Sequence, residues 1–203
     1  MKFLTIIAIL LSFSCTRTVF DKAQKDNFKT TANLSKTAIF ALVNDQTTYK
    51  SWENEVSEAL RNEDIKAEAG YKYISKPRSK VNPVSAAKLL RKKGFDSVIV
   101  IELVDIKRDS LSASSENPEI QEAETMGHFT THFSRAGSAN AGTKNKTQKS
   151  IVILETTLYS LKGKFPVIWS AKSNTFNPYD EASTRKSYSA VLAKKLKNSD
   201  HFN

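Results

Sequence analysis

The only cysteine of the chain, Cys15, directly follows an apolar segment near the amino terminus. Lys2 supplies a positive charge, residues 3–13 are mostly apolar, and the small residue Ser14 precedes the cysteine. This order is typical of a secretory signal. A cysteine at its end is typical of bacterial lipoproteins, in which the thiol receives a diacylglycerol, the chain is cut before the cysteine and the new amine is acylated, for example with palmitate. We predict a lipoprotein signal peptide over residues 1–14 and lipid attachment at Cys15.

The same apolar segment has two other interpretations, an uncleaved membrane anchor and an ordinary cleaved signal. An uncleaved membrane anchor needs about 18 or more apolar residues, and this run is much shorter. An ordinary cleaved signal with an incidental cysteine is the stronger alternative, because the third position before Cys15 is Ser12 and not the leucine of the strict motif. Leu11 lies one step further away, which fits the looser motif of some bacterial phyla.

Two histidines, His128 and His132, are the best candidates for a metal site, with Glu122 and Glu124 nearby. The segment HFTTH lacks the glutamate that a zinc-protease helix of the form HExxH requires. It also lies in a polar stretch with few apolar residues. We therefore predict no metal site and no cofactor.

A hydrolase would need a nucleophile with a base and an orienting acid. The chain contains many serines but no GxSxG motif, and its third histidine, His201, lies near the carboxyl terminus, where we expect a frayed tail. Glu102 and Asp105 end the most apolar predicted strand, a place where α/β sheets often bind ligands. An acid pair there is more often a solvated strand end. We predict no catalytic residues and a protein that is not an enzyme.

Aromatic and basic residues could serve binding instead. Trp52, Tyr159 and Trp169 could stack on sugars, but their apolar surroundings favour core packing. Two basic groups end predicted helices, where cations interact favourably with the negative pole. They are Lys88-Arg91-Lys92-Lys93 and Lys194-Lys195-Lys197. If both helices pack on one face of the sheet, the two groups could merge into a surface for anions.

The length and charge of the chain limit the classes of protein it could belong to. Without residues 1–14, the 203-residue chain would keep 189 residues, enough for one domain, and its formal charge would fall from +10 to +9. A basic protein in the cell envelope is surrounded by anionic lipids and polymers, so nucleic acid is not an expected partner. The alternative is that the charge is spread over the surface and serves solubility.

The pattern of apolar residues predicts a single α/β domain behind a tether. We predict a lipidated cysteine and flexible tether over residues 15–36 and a domain over 37–199, with a loosely ordered insertion at about 107–149. The predicted element order is β-α-β-α-β, insertion, β-β-α, with helices packed on a mixed sheet. Apolar runs begin the strands at Ala38, Ile65, Ser97, Ile151 and Phe165. Asn82-Pro83 and Asn177-Pro178 are predicted to begin helices.

Two segments of the chain carry a family resemblance. They are GFDSVIVIELVDI at 94–106 and ILETTLYSLKGKFPVIWSAKSNTFNP at 153–178. The sequence resembles a group of uncharacterised Bacteroidota lipoproteins that share a strand similar to LETNLYD, a turn and then WSAQSETYNP. A more distant architectural likeness is to the amino-terminal domain of TolB and to lipoproteins that assemble curli or activate peptidoglycan synthases. Ser160 departs from the acidic residue that relatives often carry before the turn.

The resemblance and the signal together predict a lipid-anchored envelope lipoprotein that acts without catalysis as a binding or assembly factor. The expected partner is an envelope protein, contacted through the β-hairpin or the insertion, and the membrane is contacted through Cys15. Thr16 and the residues after it contain no early sorting signal, so an outer-membrane, periplasm-facing location is expected. The alternative is a binder of anionic polymer or lipid headgroups through the basic helix ends, and a hydrolase comes third. The sequence does not predict the oligomeric state.

Overall fold

The structure is a computed structural model. It describes residues 16–23, 25–26, 34–43, 45–75, 80–108, 150–178, 180–199 and 201–202. The predicted signal peptide, Cys15 and positions 109–149 of the predicted insertion lie outside the described residues.

The described residues form seven strands, three α-helices and one 3₁₀ turn. The strands are β1 (Arg17–Phe20), β2 (Lys25–Asp26), β3 (Thr37–Leu42), β4 (Ala67–Ala69), β5 (Ser97–Arg108), β6 (Ser150–Ser160) and β7 (Val167–Phe176). The helices are α1 (Gln46–Arg61), α2 (Pro83–Lys92) and α3 (Glu181–Lys197), and the 3₁₀ turn covers Gly70–Lys72.

All seven strands belong to one mixed sheet. Its order is β1-β7-β6-β5-β3-β4, and β2 pairs with β7 beside β1. Strand β3 runs parallel to β4 and β5, because α1 and α2 return the chain between these strands. The pairs β5–β6, β6–β7 and β7–β1 are antiparallel. The predicted α/β class and mixed sheet are confirmed.

Strands β5 and β6 extend beyond the end of β3. Leu42, the last residue of β3, pairs with Glu102, whereas β5 continues to Arg108 opposite Ser150. The pairing with β6 is irregular between Leu103 and Asp105. Beyond the end of β3, the sheet therefore continues with β5, β6, β7 and β1 alone among the described strands.

Helices cover the two faces of the sheet unequally. Helices α1 and α3 bury one face, where Val56 and Leu192 are fully buried and the rings of Trp52 and Tyr188 lie 5.5 Å apart. Helix α2 buries the other face through Ala86, Ala87 and Leu90. A shared apolar core on each side thus fixes the order of the strands without any disulfide.

The start of α2 follows the predicted capping residues. The Asn82 side chain accepts the Ser85 N–H at 3.0 Å with Pro83 at the first helical position, and Gly94 after the helix has a left-handed conformation with φ +80°. The predicted start of α3 at Asn177 is wrong. Asp180 caps that helix, because Asn177 instead takes a left-handed turn with φ +47° and donates its N–H to the Ser150 carbonyl at 2.8 Å.

The prediction of a flexible tether over residues 15–36 is wrong for much of its length. Strand β1 pairs with β7, and Thr18 is buried, with its hydroxyl 2.8 Å from that of Thr175. Backbone pairing of an otherwise open sheet edge outweighs the polar composition of this segment, which shows no apolar run. The sheet therefore includes residues before position 37, with Arg17–Phe20 as one of its strands.

Two shorter predictions also need correction. The strand expected over residues 65–74 is limited to Ala67–Ala69, since the chain turns at once into the 3₁₀ turn beginning at Gly70. His201 is not in a frayed tail. It is only 1% exposed, and its carbonyl accepts the Leu34 N–H at 3.0 Å, which ties the carboxyl terminus to the start of β3.

Candidate binding groove

An apolar groove of about 250 Å³ lies at the carboxyl end of β3 and β5. Its floor includes Ile101, Leu103 and Ile106 of β5 and Val152 and Leu154 of β6, and Trp52 of α1 forms part of one wall. We call this the groove. Apolar concavities with a few polar groups are the usual form of binding sites in proteins.

The groove exists because the elements around it end at different levels. Strand β3 stops at Leu42 while β5 and β6 continue, so beyond Leu42 no described strand pairs with β5 on the side that β3 occupies. The first turns of α1 and α3 flank this part of the sheet through Thr48 and Thr184. Leu103 and Val152 are consequently only partly buried at the edge of the core.

The polar rim of the groove carries carboxylates. Asp180 and Glu181 line it, and no lysine or arginine does so among the described residues. Glu181 is paired with Arg185 at 2.7 Å, whereas Asp180 makes no ion pair with the described residues and accepts the Ser183 N–H at 2.7 Å. Asp45 begins the other flanking helix, and a hydrogen bond from the Thr48 backbone lowers the pKa of its carboxyl.

This composition suits binding of an apolar group more than catalysis. Apolar side chains form most of the lining. Of the two carboxylates at the rim, Asp180 caps α3 and Glu181 is paired with Arg185. Within the described residues, no group of three or more histidine, cysteine, aspartate or glutamate side chains could hold a metal ion. His128, His132, Glu122 and Glu124 lie outside the described residues.

The acidic candidates of the sequence do not reach the groove. Glu102 is half-buried and pairs across the strands with Glu155, while exposed Asp105 accepts the N–H of the following residue, Ile106, at 2.7 Å. Neither side chain lines the groove. The interpretation of the pair as an active-site acid therefore gains no support from their surroundings.

The three aromatic candidates lie in the core. Trp52 of α1 and Trp169 of β7 are 6% and 4% exposed and belong to the core between the sheet and helices α1 and α3. Tyr159 is fully buried on the opposite face, under α2. The prediction of core packing is confirmed, and residues on opposite faces of a sheet cannot form one stacking platform.

The two basic helix ends do not merge. Helix α2 packs on one face of the sheet and α3 on the other, so Lys92 and Lys194 lie on opposite sides of the domain. Arg91 is also occupied, because its guanidinium lies 4.8 Å from the Phe165 ring and donates to the Gly163 carbonyl at 3.0 Å. Because the two helices pack on opposite faces of the sheet, their basic ends do not form one surface for anions.

A second polar cluster lies at the β3–β4 edge of the sheet. Lys36 pairs with Glu68 at 2.8 Å and lies 4.2 Å above the Phe95 ring, and the Tyr73 hydroxyl donates to the same glutamate. The hydrogen bonds from Lys36 and Tyr73 lower the pKa of Glu68, and the bond to Glu68 raises the pKa of Tyr73 to about 12. Shifted pKa values can mark functional sites, but these contacts join an edge strand to the turn that follows it.

The Tyr73 contact predicts a loss of stability in alkali. Since folding raises the pKa of Tyr73 from 10.0 to about 12, its contribution is complete below pH 10 and is lost as the pH rises through that interval. The free energy of unfolding of the unmodified protein should fall more steeply over this range than that of Tyr73→Phe. Denaturant titrations at several pH values test this, with Tyr71→Phe as the control. Equal slopes for the unmodified protein and Tyr73→Phe would contradict the assignment.

The sequence alone did not predict the groove. Sequence patterns place the lining residues in helices, strands or the core, but the groove arises from the different lengths of β3 and β5. The available signal was the apolar residue Ile106, which continues the apolar pattern of β5 beyond the point where β3 ends.

No protein-family model matches this chain, and no curated protein matches it either. Among solved structures, the chain is similar to the PelC dodecamer from Paraburkholderia phytofirmans, with a TM-score of 0.47 and 12% identity over 90% of this chain and 97% of that one. It is also similar to lipoprotein GNA1162 from Neisseria meningitidis, with a TM-score of 0.40 and 10% identity over 81% and 99% of the two chains. Similarity at this level carries no argument about function, and the Bacteroidota family resemblance stays a prediction.

None of the described helices has both the length and the apolar character needed to cross a membrane.

Proposed function

We propose that the protein is a lipid-anchored envelope lipoprotein that acts without catalysis, as a binding or assembly factor for another envelope protein. The signal sequence ending at Cys15 supports the anchor. The groove supports the binding role, because its partly buried Leu103 and Val152 present apolar surface that a partner can cover. An outer-membrane, periplasm-facing location follows from the residues after Cys15, which begin with Thr16 and Arg17 and include no early acidic signal.

The lining of the groove indicates the chemistry of the partner. An apolar side chain or short apolar segment would fill the floor, and the carboxylate of Asp180 at the rim favours a cation next to it. The chain as a whole is strongly basic, with a formal charge of +10, so an acidic rim is a local exception that discriminates among partners. The proposed partner is therefore a polypeptide segment with apolar anchors and a flanking lysine or arginine.

The second candidate function is binding of an anionic envelope polymer. The basic ends of α2 and α3 both lie toward the amino ends of β3 and β5, since α2 leads directly into β5 and residues 201–202 after α3 lie beside Leu34. Such binding would weaken steeply with salt. A hydrolase remains third, as a proposal without an identified site.

A photocrosslinking amino acid at position 106 tests the groove directly in the native envelope. Ile106 lies at the open side of the groove, and a crosslinker there should trap one protein partner. Leu89 is the control position, because it is exposed on the far helix α2. The trapped partner should carry an apolar and basic segment at the crosslinked site, identified by mass spectrometry.

Two further variants separate the possible results. Val152→Glu should abolish the crosslink from position 106, because it places a charge in the apolar floor of the groove. Lys194→Gln/Lys195→Gln should leave that crosslink unchanged. The absence of a protein crosslink from position 106, or the same products from positions 106 and 89, would contradict the proposal. Loss of binding in the lysine variant alone would instead favour the anionic polymer.

A further inference from the structure

The predicted lipid attachment site lies one residue from the folded domain. Thr16 alone separates Cys15 from β1, and its carbonyl accepts a hydrogen bond from the Ser187 hydroxyl of α3 at 3.3 Å. Thr18 donates to the same hydroxyl at 2.9 Å. One residue spans at most about 3.5 Å, so a lipid on Cys15 would bring the start of β1 close to the membrane surface.

The cross-strand register identifies the side chains at this end of the sheet. Arg17 pairs with Phe176, Phe176 with Ile151, and Ile151 with Lys107. Directly paired residues of antiparallel strands point to the same face. These four side chains therefore form one row across β1, β7, β6 and β5, and Val19 belongs to the next row inward.

This row is exposed and contains both apolar and cationic groups. Phe176 is 38% exposed and Val19 is 37% exposed, which makes them two of the few large apolar side chains at the surface among the described residues. They share a shallow depression with Arg17. Lys107 is exposed at the other end of the row, and Ile151 between them is partly exposed.

The helix on this side of the sheet does not cover these residues. The buried cluster beneath α2 includes residues along the whole of β3 and the amino-terminal half of β5, together with Tyr159, Leu161, Phe165 and Val167. None of Arg17, Val19, Ile151 or Phe176 belongs to it. The carboxyl end of this sheet face is therefore without a helix among the described residues.

We propose that this surface, formed by Arg17, Val19, Lys107, Ile151 and Phe176, contacts the phospholipid bilayer that holds the lipid on Cys15. We call it the membrane-facing patch. An aromatic and several aliphatic side chains flanked by cations suit the boundary between acyl chains and anionic headgroups. The inference rests on the proposed lipidation of Cys15 and adds a fixed orientation of the domain to it.

This orientation assigns a position to the other surfaces. The groove lies at the same end of the sheet as the membrane-facing patch but on the α1–α3 face, so its partner would bind next to the membrane. The basic ends of α2 and α3 point away from it, which excludes the anchoring membrane as their ligand and leaves a polymer for that alternative.

Fluorescence quenching by brominated lipids tests the orientation. The chain from Cys15 onward is coupled through its only thiol to a maleimide lipid in vesicles of phosphatidylcholine and phosphatidylglycerol. Phe176→Trp supplies a reporter in the membrane-facing patch. Leu89→Trp is a matched control, because Leu89 has the same exposed fraction of 38% but lies on α2. The buried side chains of Trp52 and Trp169 contribute background fluorescence. This background is measured with the protein that carries no added tryptophan.

We expect the reporter at position 176 to be strongly quenched and blue-shifted, and the reporter at position 89 to remain at background. Val19→Trp gives a second reporter in the next row and should be quenched less than the first. Quenching at position 176 no greater than at position 89 would overturn the proposed orientation. Chemical coupling of the thiol keeps this result independent of whether the cell lipidates Cys15, which is measured separately.

Discussion

Replacing Glu53 with alanine is expected to lower the free energy of unfolding by about 3 kcal/mol, because two backbone N–H groups lose a buried acceptor. Glu53 is fully buried in α1, and its carboxylate accepts the Tyr71 N–H at 2.7 Å and the Ala41 N–H at 3.3 Å. It thereby joins the helix to β3 and to the 3₁₀ turn. Urea denaturation measures the loss.

The control for this prediction lies on the same helix. Glu58 is exposed, so Glu58→Ala changes helix composition and charge equally but removes no buried contact. Its effect should remain within about 0.5 kcal/mol, as for most surface substitutions. Similar losses for Glu53→Ala and Glu58→Ala would show that the buried carboxylate does not organise this junction.

Gly70→Ala is expected to be destabilising by about 3 kcal/mol, the upper part of the range for overpacked cores. A Cβ at this position would lie 2.7 Å from the Ile39 carbonyl oxygen and still closer to the Phe40 ring. Phe40 is fully buried, so its ring cannot move aside without displacing the core beneath α2. Thermal and chemical denaturation both report the loss.

Gly94→Ala separates steric crowding from backbone strain. Gly94 has φ +80°, but a Cβ there meets no atom within 4 Å. Its replacement should lower the free energy of unfolding by about 1 kcal/mol, through the strain of the left-handed conformation alone. If Gly70→Ala lowers the free energy of unfolding no more than Gly94→Ala does, the predicted steric clash between the turn and β3 is contradicted.

The central part of the fold was predictable because its signals are local and strong. The run Val98–Ile101 is apolar at every position, as expected for a strand with both faces covered, and it lies at the centre of the described core. The helix start at Asn82-Pro83 follows from the capping chemistry of two adjacent residues. These features depend on neighbours in sequence and need no knowledge of the tertiary contacts.

The missed features depend on distant contacts. Strand β1 has only four residues and gains its stability from the edge of β7, more than 150 positions away in sequence. His201 is buried, and its carbonyl accepts the N–H of Leu34, which lies more than 160 positions earlier in the chain. No periodicity within a short polar segment indicates such pairing, so both segments were predicted to be flexible.

The finding that β1 belongs to the sheet, and not to a flexible tether, also changes the functional interpretation. A long tether would have let the domain act at a distance from the membrane, whereas a strand that begins at Arg17 fixes the domain beside its proposed anchor. The groove was missed for a related reason, since it lies where β5 and β6 continue beyond Leu42 and depends on strand lengths. Binding beside the membrane is therefore the proposal that joins Cys15 to the groove.

The most direct test of this account is the intact mass of the protein extracted from the membranes of its own cells. The account predicts a chain that begins at Cys15 and carries the added mass of a diacylglycerol and an amide-linked acyl chain. The same preparation from Cys15→Ala should lack this modification, and the variant should no longer be recovered with the membranes. A chain with an unmodified Cys15 thiol, or one that begins at another residue, would contradict the anchor on which the proposed function rests.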